Sequence, residues 1–243
     1  MKVCLISDVH GNLPALEAVL EHAASLGINE PIWNLGDFVG YGAQPEEVVQ
    51  LLFSRRAVSI IGNYDKKVLE RKMIESKWAR VKKPDKRLAF HYAYEHLSAE
   101  SRARLTMLPE KRLMELNGLR ILMTHGSPQS IDDFLGLETP EDYLQEMAEM
   151  AGADVILCGN THRSFERQVG RAKFINPGSV GRPDDGDPRA AYATLEVVMG
   201  KVTVEFFRVE YDVAAEVSAI QAAGLPEIFG QMFINGRNYD DIA

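Results

Sequence analysis

The chain has 243 residues, enough for a substantial core, and 46% apolar with 26% charged residues is the ordinary balance of a soluble globular protein. Its longest apolar runs are strand-length, which excludes a membrane-spanning helix, and the opening MKVCLISDVHGN lacks the long apolar core and cleavage site of a signal peptide. The net charge of −8, with no concentrated basic stripe, argues against a protein built to hold long nucleic acid, but leaves room for a small phosphorylated substrate, because bound cations reverse a local field. Only Cys4 and Cys158 occur, each inside an apolar run, and they read as buried free thiols of a cytoplasmic protein.

Along the chain, apolar runs alternate with helical patterns. Val3 to Ser7 reads as a buried strand, Leu13 to Leu26 as a helix with Leu16, Val19, Leu20 and Ala23 on its apolar side, and Gly27 as its stop. Pro31 to Asn34 is a second strand, Pro45 to Phe53 a helix opened by proline, and Val58 to Ile61 a third strand. This β-α-β-α-β order predicts parallel strands joined by crossover helices. Lys66 to Met107 is charged and helical, with Ser98 placed to cap a helix from Ala99 to Leu108. Asn117-Gly118 between two apolar runs is a hairpin signal. A helix from Pro140 to Met150, strands at Val155 to Cys158, Phe165 to Val169, Phe174 to Asn176, Tyr192 to Val198 and Val202 to Val209, and a closing helix from Val213 to Ala223 complete the reading. No repeat or low-complexity linker divides residues 1–243, so one domain is expected, a layered sandwich with parallel strands early and antiparallel strands later.

The polar residues of interest sit where strands end. Asp8 and His10 follow the first strand, Gly36-Asp37 the second, Gly62-Asn63 the third, Thr124-His125-Gly126 the second hairpin strand, and Gly159-Asn160-Thr161-His162 the strand after it. Functional sites of open α/β sheets form at the carboxyl ends of parallel strands. Each piece alone is ordinary loop punctuation; five strand ends in succession, holding three of the six histidines, are not. His22 reads as a surface residue, and His91 and His96 as members of a solvated helical face.

In order, SDVHGN, LGDFVGYG, GNYD, THG and GNTH resemble the signature of the calcineurin-like metallophosphoesterases, over almost the whole chain, and INPGSVGRPDDGDPRAAYATLE is similar to the closing segment of small bacterial phosphodiesterase-type members. The resemblance implies a four-layer α/β/β/α sandwich of mixed sheets and a dinuclear centre. Asp8, His10 and His162 would hold one metal, Asp37 would bridge, and Asn63 and His125 would hold the second. Such mixed nitrogen and oxygen ligands suit two divalent ions among Mn, Fe, Zn, Ni and Co. Two such cations would clamp a phosphoryl group and activate a water for in-line attack. Two departures stand out. Asn160 occupies a position where the family carries histidine, so the second metal would take an amide oxygen or a water there and be held loosely. Tyr64 occupies the position of a histidine that assists the leaving group, and a phenol is a poor acid near neutrality. Asn63 and Tyr64 are thus the candidates beside the reaction, and Arg182 in GSVGRP the candidate to meet a phosphate oxygen, although Arg163 and Arg189 could do the same and a surface ion pair is the ordinary reading of all three. Asp184 to Asp187 (DDGD) reads as a turn and Asn12 as a helix cap. The expected activity is hydrolysis of a phosphodiester or small phosphorylated compound. The alternatives are a phosphomonoesterase or nucleotide pyrophosphatase with the same chemistry, or a partly decayed site serving as a binding scaffold.

Overall fold

The computed structural model describes residues 2–70 and 83–242. Two five-stranded mixed sheets lie face to face. The first has the order β10-β9-β1-β2-β3 and the second β4-β5-β6-β8-β7, with β1 Lys2–Ile6, β2 Ile32–Asn34, β3 Val58–Ser59, β4 Lys111–Leu116, β5 Leu119–Thr124, β6 Val155–Leu157, β7 Phe165–Val169, β8 Ala172–Asn176, β9 Ala190–Val198 and β10 Lys201–Val209. Strands β1, β2 and β3 are parallel to one another, as are β5, β6 and β8, while β9, β10, β4 and β7 pair antiparallel at the flanks. The two parallel triplets place their carboxyl ends together, and this is what gathers the motif residues.

Period-two alternation sorts the side chains into layers. Val3 and Leu5 of β1 face the opposite sheet and pack with Trp33, Ile121, Met123, Val155 and Leu157 in a dry inter-sheet core. Cys4 and Ile6 point the other way, onto Leu16 and Val19 of helix α1 (Leu13–Ser25) and Val48 and Leu52 of α2 (Pro45–Ser54). On the outer face of the second sheet, Ile156 and Phe174 meet Leu144 and Met147 of a helix at Glu141–Ala151. Helix, sheet, sheet and helix are the four layers expected. Both thiols are buried, and burial pushes Cys4 up to about 12, so neither is a nucleophile near neutrality.

The remaining helices are α3 Asn63–Leu69, α4 Pro84–His96, α5 Ala99–Thr106, α6 Glu141–Ala151, α7 Val213–Ala222, α8 Glu227–Asn235 and α9 Tyr239–Ile242. The Ser98 cap is made, its side chain accepting from the Ser101 amide at 3.0 Å, and the Asn117-Gly118 turn closes β4 on β5 with both residues at positive φ. The helical reading of residues 71–82 lies outside the described residues. The chain does not end on the helix beginning at Val213. Two further helices follow, because Phe229, Met232 and Phe233 recur at helical spacing and pack under Tyr41 and Ala89. Gly230 lowers the intrinsic helix preference of that stretch, and tertiary burial overrides it. His22 is not a free surface residue either: its Nδ1 lies 2.7 Å from the Tyr192 hydroxyl and its ring packs on Phe207. Asn12 caps α1 as read, accepting from Ala15 at 3.1 Å, and its amide nitrogen donates to the Gly181 carbonyl at 2.9 Å.

Leu157 is fully buried between the sheets and Met199 is 97% exposed in a hairpin turn. Leu157→Ala is expected to destabilise the fold by about 2–5 kcal/mol, and Met199→Ala by less than about 0.5 kcal/mol; urea unfolding of the two variants measures the contrast.

Candidate metal centre

Five of the eight non-glycine residues with positive φ among the described residues belong to the strand-end motifs: Asp8 (φ 55°), His10 (53°), Asp37 (55°), Asn160 (63°) and His162 (58°). A non-glycine side chain in this region is uncommon and costs on the order of 1–3 kcal/mol. Here each turn leaves a strand sharply and returns the polar side chain over the strand end. The glycines beside them are needed for close approach. A Cβ on Gly62 would overlap Asp37 Oδ1, and one on Gly159 would overlap Ser7 Oγ and crowd Asp8 Oδ2.

Each carboxylate is anchored by one oxygen and turns the other inward. Asp8 Oδ2 accepts from the Asn160 amide at 3.1 Å, and Asp37 Oδ1 accepts from the Tyr64 amide at 2.8 Å. Asp8 Oδ1 then lies 3.3 Å from His162 Nε2, 3.8 Å from His10 Nε2 and 3.9 Å from His125 Nε2. Asp37 Oδ2 lies 3.3 Å from His125 Nε2 and 3.8 Å from His10 Nε2. Backbone carbonyls fix two of the imidazoles: His162 Nδ1 donates to Arg182 O at 2.6 Å and His125 Nδ1 to Leu35 O at 2.8 Å. A carbonyl only accepts, so both rings carry their proton on Nδ1 and present Nε2 to the centre.

The donor atoms form two groups, Asp8–His10–His162 and Asp8–Asp37–His125, each within 4.8 Å. Asp8 Oδ1, Asp37 Oδ2, His125 Nε2 and Asn63 Oδ1 are buried without a hydrogen-bond partner among the described residues. Four inward-facing polar atoms in a dry site are costly to leave unmatched. His10 Nε2 and His162 Nε2 face each other at 3.1 Å, close enough for one neutral ring to donate to the other or for both nitrogens to grip one cation. The chemistry of these residues fits the binding of metal ions.

Charges within the centre are strongly interdependent. Burial resists ionisation of Asp8, but His162, His125 and His10 hold its carboxyl well below the usual carboxylate range. Burial, with Arg182 and His162 nearby, holds His10 well below an ordinary histidine. Burial would also lower His125, yet the charge of Asp37, whose Oδ2 is 3.3 Å from its Nε2, with Asp8 behind it, pushes it up to about 10.

Sequence motifs and structure agree on which residues meet, and the structure gives a supporting part to motif residues that the sequence reading left without a role. Asp65 is fully buried and accepts from the amides of Asp37, Val39 and Gly62 at 3.0, 3.1 and 3.0 Å, so it holds the Asp37 turn in place. Burial and the charge of Asp37 push it up to about 7. Its signal was present, an acid three residues after Gly62 at the capping-box position of α3. Ser179 Oγ donates to Asp8 O at 2.7 Å and Asn176 Nδ2 to Gly159 O at 2.8 Å, two supports from the far end of the chain.

The centre opens into a cleft of about 520 Å³ lined by Tyr41, Tyr64, Lys67, Lys86 and Arg182, with one wall supplied by Asn238 to Asp241. Arg182 is not a surface ion pair. It is only 8% exposed, its guanidinium lies over the Tyr41 ring at 5.0 Å, and Nη2 is 3.3 Å from His162 Nε2. Arg163 and Arg189, its rivals in the sequence, pair instead with Asp184 and Asp187. Asp185 pairs with Arg208, so DDGD is the turn expected. Tyr64 stands edge-on to His10 with centroids 5.0 Å apart, packs on Phe90, and places its hydroxyl 3.4 Å from that of Tyr41.

Residues 1–200 match the model of the calcineurin-like phosphoesterase superfamily domain. The chain belongs to that superfamily. It is a phosphoric ester hydrolase of a metal-dependent family. An uncharacterized protein of Methanocaldococcus jannaschii is 30% identical, with 97% of this chain and 98% of the relative covered. Phosphodiesterase YfcE of Escherichia coli is 27% identical over 81% of this chain and 88% of its own length. The crystal structure of a metallophosphoesterase from Sphaerobacter thermophilus superposes with a TM-score of 0.79 at 32% identity, covering 97% of this chain and 99% of that one. No helix among the described residues is long and apolar enough to cross a membrane.

A cation taken up between Asp37 and His125 must displace the His125 proton. Because that proton is held up to about 10 in the metal-free protein, metal uptake near neutrality is expected to release it, and apparent affinity to rise with pH by up to about tenfold per unit below that value. Calorimetric titration of chelated protein with Mn²⁺ in buffers of different ionisation heat reads the proton count directly.

Proposed function

We propose that residues 1–243 work as one metal-dependent phosphodiesterase unit acting on small phosphodiesters. The observation that carries the reading is the pair of buried donor groups sharing Asp8 at the floor of a cleft whose rim presents Arg182. In this reading Asp8, His10 and His162 would hold one divalent ion, Asn63 and His125 would hold the second, and Asp37 would contribute its carboxylate to both. When bound, the two ions would lower the pKa of a water and neutralise charge on the phosphoryl group.

The protein's own groups supply the rest. Arg182 offers a planar, always-charged guanidinium to a non-bridging phosphate oxygen, and its bed on Tyr41 fixes its plane. Lys67 is paired with Asp132 at 2.8 Å and Lys86 with Asp240 at 2.5 Å. Among the described residues that line the cleft, Arg182 is therefore the cation without a carboxylate partner. One unmatched positive charge complements the single negative charge of a diester better than the two of a monoester. Tyr64 keeps solvent from the open edge of His10 and directs its amide to Asp37, and its hydroxyl is linked to Tyr41 rather than poised as an acid. Protonation of the leaving group then falls to solvent, which suits esters of acidic alcohols.

Asp37→Ala is expected to abolish hydrolysis in a protein that remains folded, while Tyr64→Phe lowers kcat by less than about tenfold, below the 10²–10⁴ of a general acid. Release of p-nitrophenol from the bis-ester and from the monoester, after chelation and again with Mn²⁺, Ni²⁺, Co²⁺ or Zn²⁺ restored, tests the whole reading. Metal-dependent release that is faster for the diester is the expected result. Faster release from the monoester would make it a phosphomonoesterase, and no release with any metal from folded protein would favour a binding scaffold.

A further inference from the structure

Asn160 stands at the position where the superfamily signature has a histidine, and its carboxamide is fully engaged with protein. Its Oδ1 accepts from Asn63 Nδ2 at 3.3 Å, and its Nδ2 donates to the Asp133 carbonyl at 2.9 Å. The first bond bears on Asn63 directly. Asn63 Nδ2 also donates to Asp132 Oδ1 at 3.0 Å. With both bonds drawn to the nitrogen end, the amide is held one way round, and Oδ1 is left buried and without a partner among the described residues. Without those two acceptors the Asn63 amide could rotate and present NH₂, which carries no lone pair for a cation.

The second bond reaches the loop after β5. That loop is built on Ser127, whose Oγ accepts from the amides of Gln129 and Ser130 at 3.0 Å each and donates to Asp133 Oδ2 at 2.5 Å. Gly126 allows the loop to fold back, since a Cβ there would stand 2.5 Å from Ser130 O and 2.8 Å from Asp133 O. Next to Asp133 is Phe134, 69% exposed, whose ring borders both the catalytic cleft and an adjoining cavity of about 570 Å³ that contains Leu137 and Phe165. The Asp133 carbonyl, beside the Asp132 carboxylate that takes Asn63 Nδ2, is therefore a point at which the loop carrying Phe134 is fastened to the strand-end cluster.

We propose that Asn160 is a positioning residue rather than a metal ligand: it orients the Asn63 carboxamide toward the second metal and, with its other end, sets the Phe134 loop that borders the cleft. This rests on the reading of Asn63 as a ligand. A histidine there could not give Asn63 the same oxygen acceptor, which is a physical reason for asparagine at this position.

Asn160→Gly is the informative variant, because glycine adopts φ 63° without strain and only the carboxamide is lost. Two measurements need no turnover, so they remain readable if the phosphodiesterase assignment fails. In metal-free protein, hydrogen exchange of the amides of 133–136 should quicken at least tenfold in Asn160→Gly and also in Asn160→Asp, which keeps an acceptor for Asn63 but loses the donor to Asp133. In Mn²⁺ titrations, Asn160→Gly should weaken the looser of the two sites roughly 10–100-fold, as removal of an orienting partner does. In an Asn63→Ala background the same change should cost less than about threefold, because there is no longer an amide to orient. Unchanged loop exchange, or an equal loss of affinity in both backgrounds, would mean that Asn160 binds metal independently and would overturn the proposal. In an active enzyme, Asn160→Asp should raise KM for a bulky diester more than it lowers kcat; the reverse split would count against a role in setting the loop.

Discussion

Two buried carboxylates facing three imidazoles constrain everything else in this molecule. Asp8 and Asp37 each tie one oxygen to a backbone amide and hold the other buried, without a hydrogen-bond partner among the described residues. Such a cluster persists only if the surrounding backbone leaves it no alternative. Three of the proposed metal ligands on the first two strand ends, Asp8, His10 and Asp37, take left-handed backbone angles, and so do Asn160 and His162 on the opposite sheet. The loops are stitched across the sheets: the Asp8 amide donates to Gly36 O, that of His10 to Asp37 O, and that of Gly159 to His125 O. Strain in each turn is offset by hydrogen bonds to another.

The two sheets matter because no single strand end has enough ligands. The dry core of Leu5, Trp33, Met123 and Leu157 sets the distance between the parallel triplets. That distance places His125 and His162, from β5 and β6, against Asp8 and Asp37, from β1 and β2. Electrostatics then act across the interface between sheets, and each group alters its neighbours' protonation: the acids raise His125 while the histidines lower Asp8. In the superfamily's fold the metal centre is thus a property of how the sheets pack, and of no one motif.

The cleft above it draws on the remainder of the chain. Arg182 arrives from the segment after β8, Tyr41 from the loop after β2, and the far wall from α9. Helix α7 contributes buried Glu216, which accepts from the Ala43 amide at 3.0 Å and steadies the loop that carries Tyr41. Phe229 of α8 packs edge-on against the Tyr41 ring at 5.0 Å. The C-terminal helices, remote from every metal ligand in sequence, therefore shape what the site can admit.

Which polar residues gather at the strand ends was legible from the sequence, because strand ends followed by glycine and a ligand-type side chain are local features. The alternation of Val3 and Leu5 against Cys4 and Ile6, and the cap at Ser98, were legible for the same reason. Other features depended on residues far apart in the chain. The α8 pattern was obscured by Gly230, and only its burial under Tyr41 makes it helical. Arg182 was one of three similar arginines until packing buried it while Arg163 and Arg189 found carboxylates. The acid at position 65 was visible as the last residue of GNYD, but its hold on three amides, two of them from the Asp37 loop, appears only in the fold. Asn160 is the sharpest case. Its identity was readable as a departure from a histidine pattern, but whether its amide faces a cation or braces Asn63 and Asp133 depends on atoms 97 and 27 positions away, and hydrogen-bond direction over such spans is decided only when the two sheets have closed on each other.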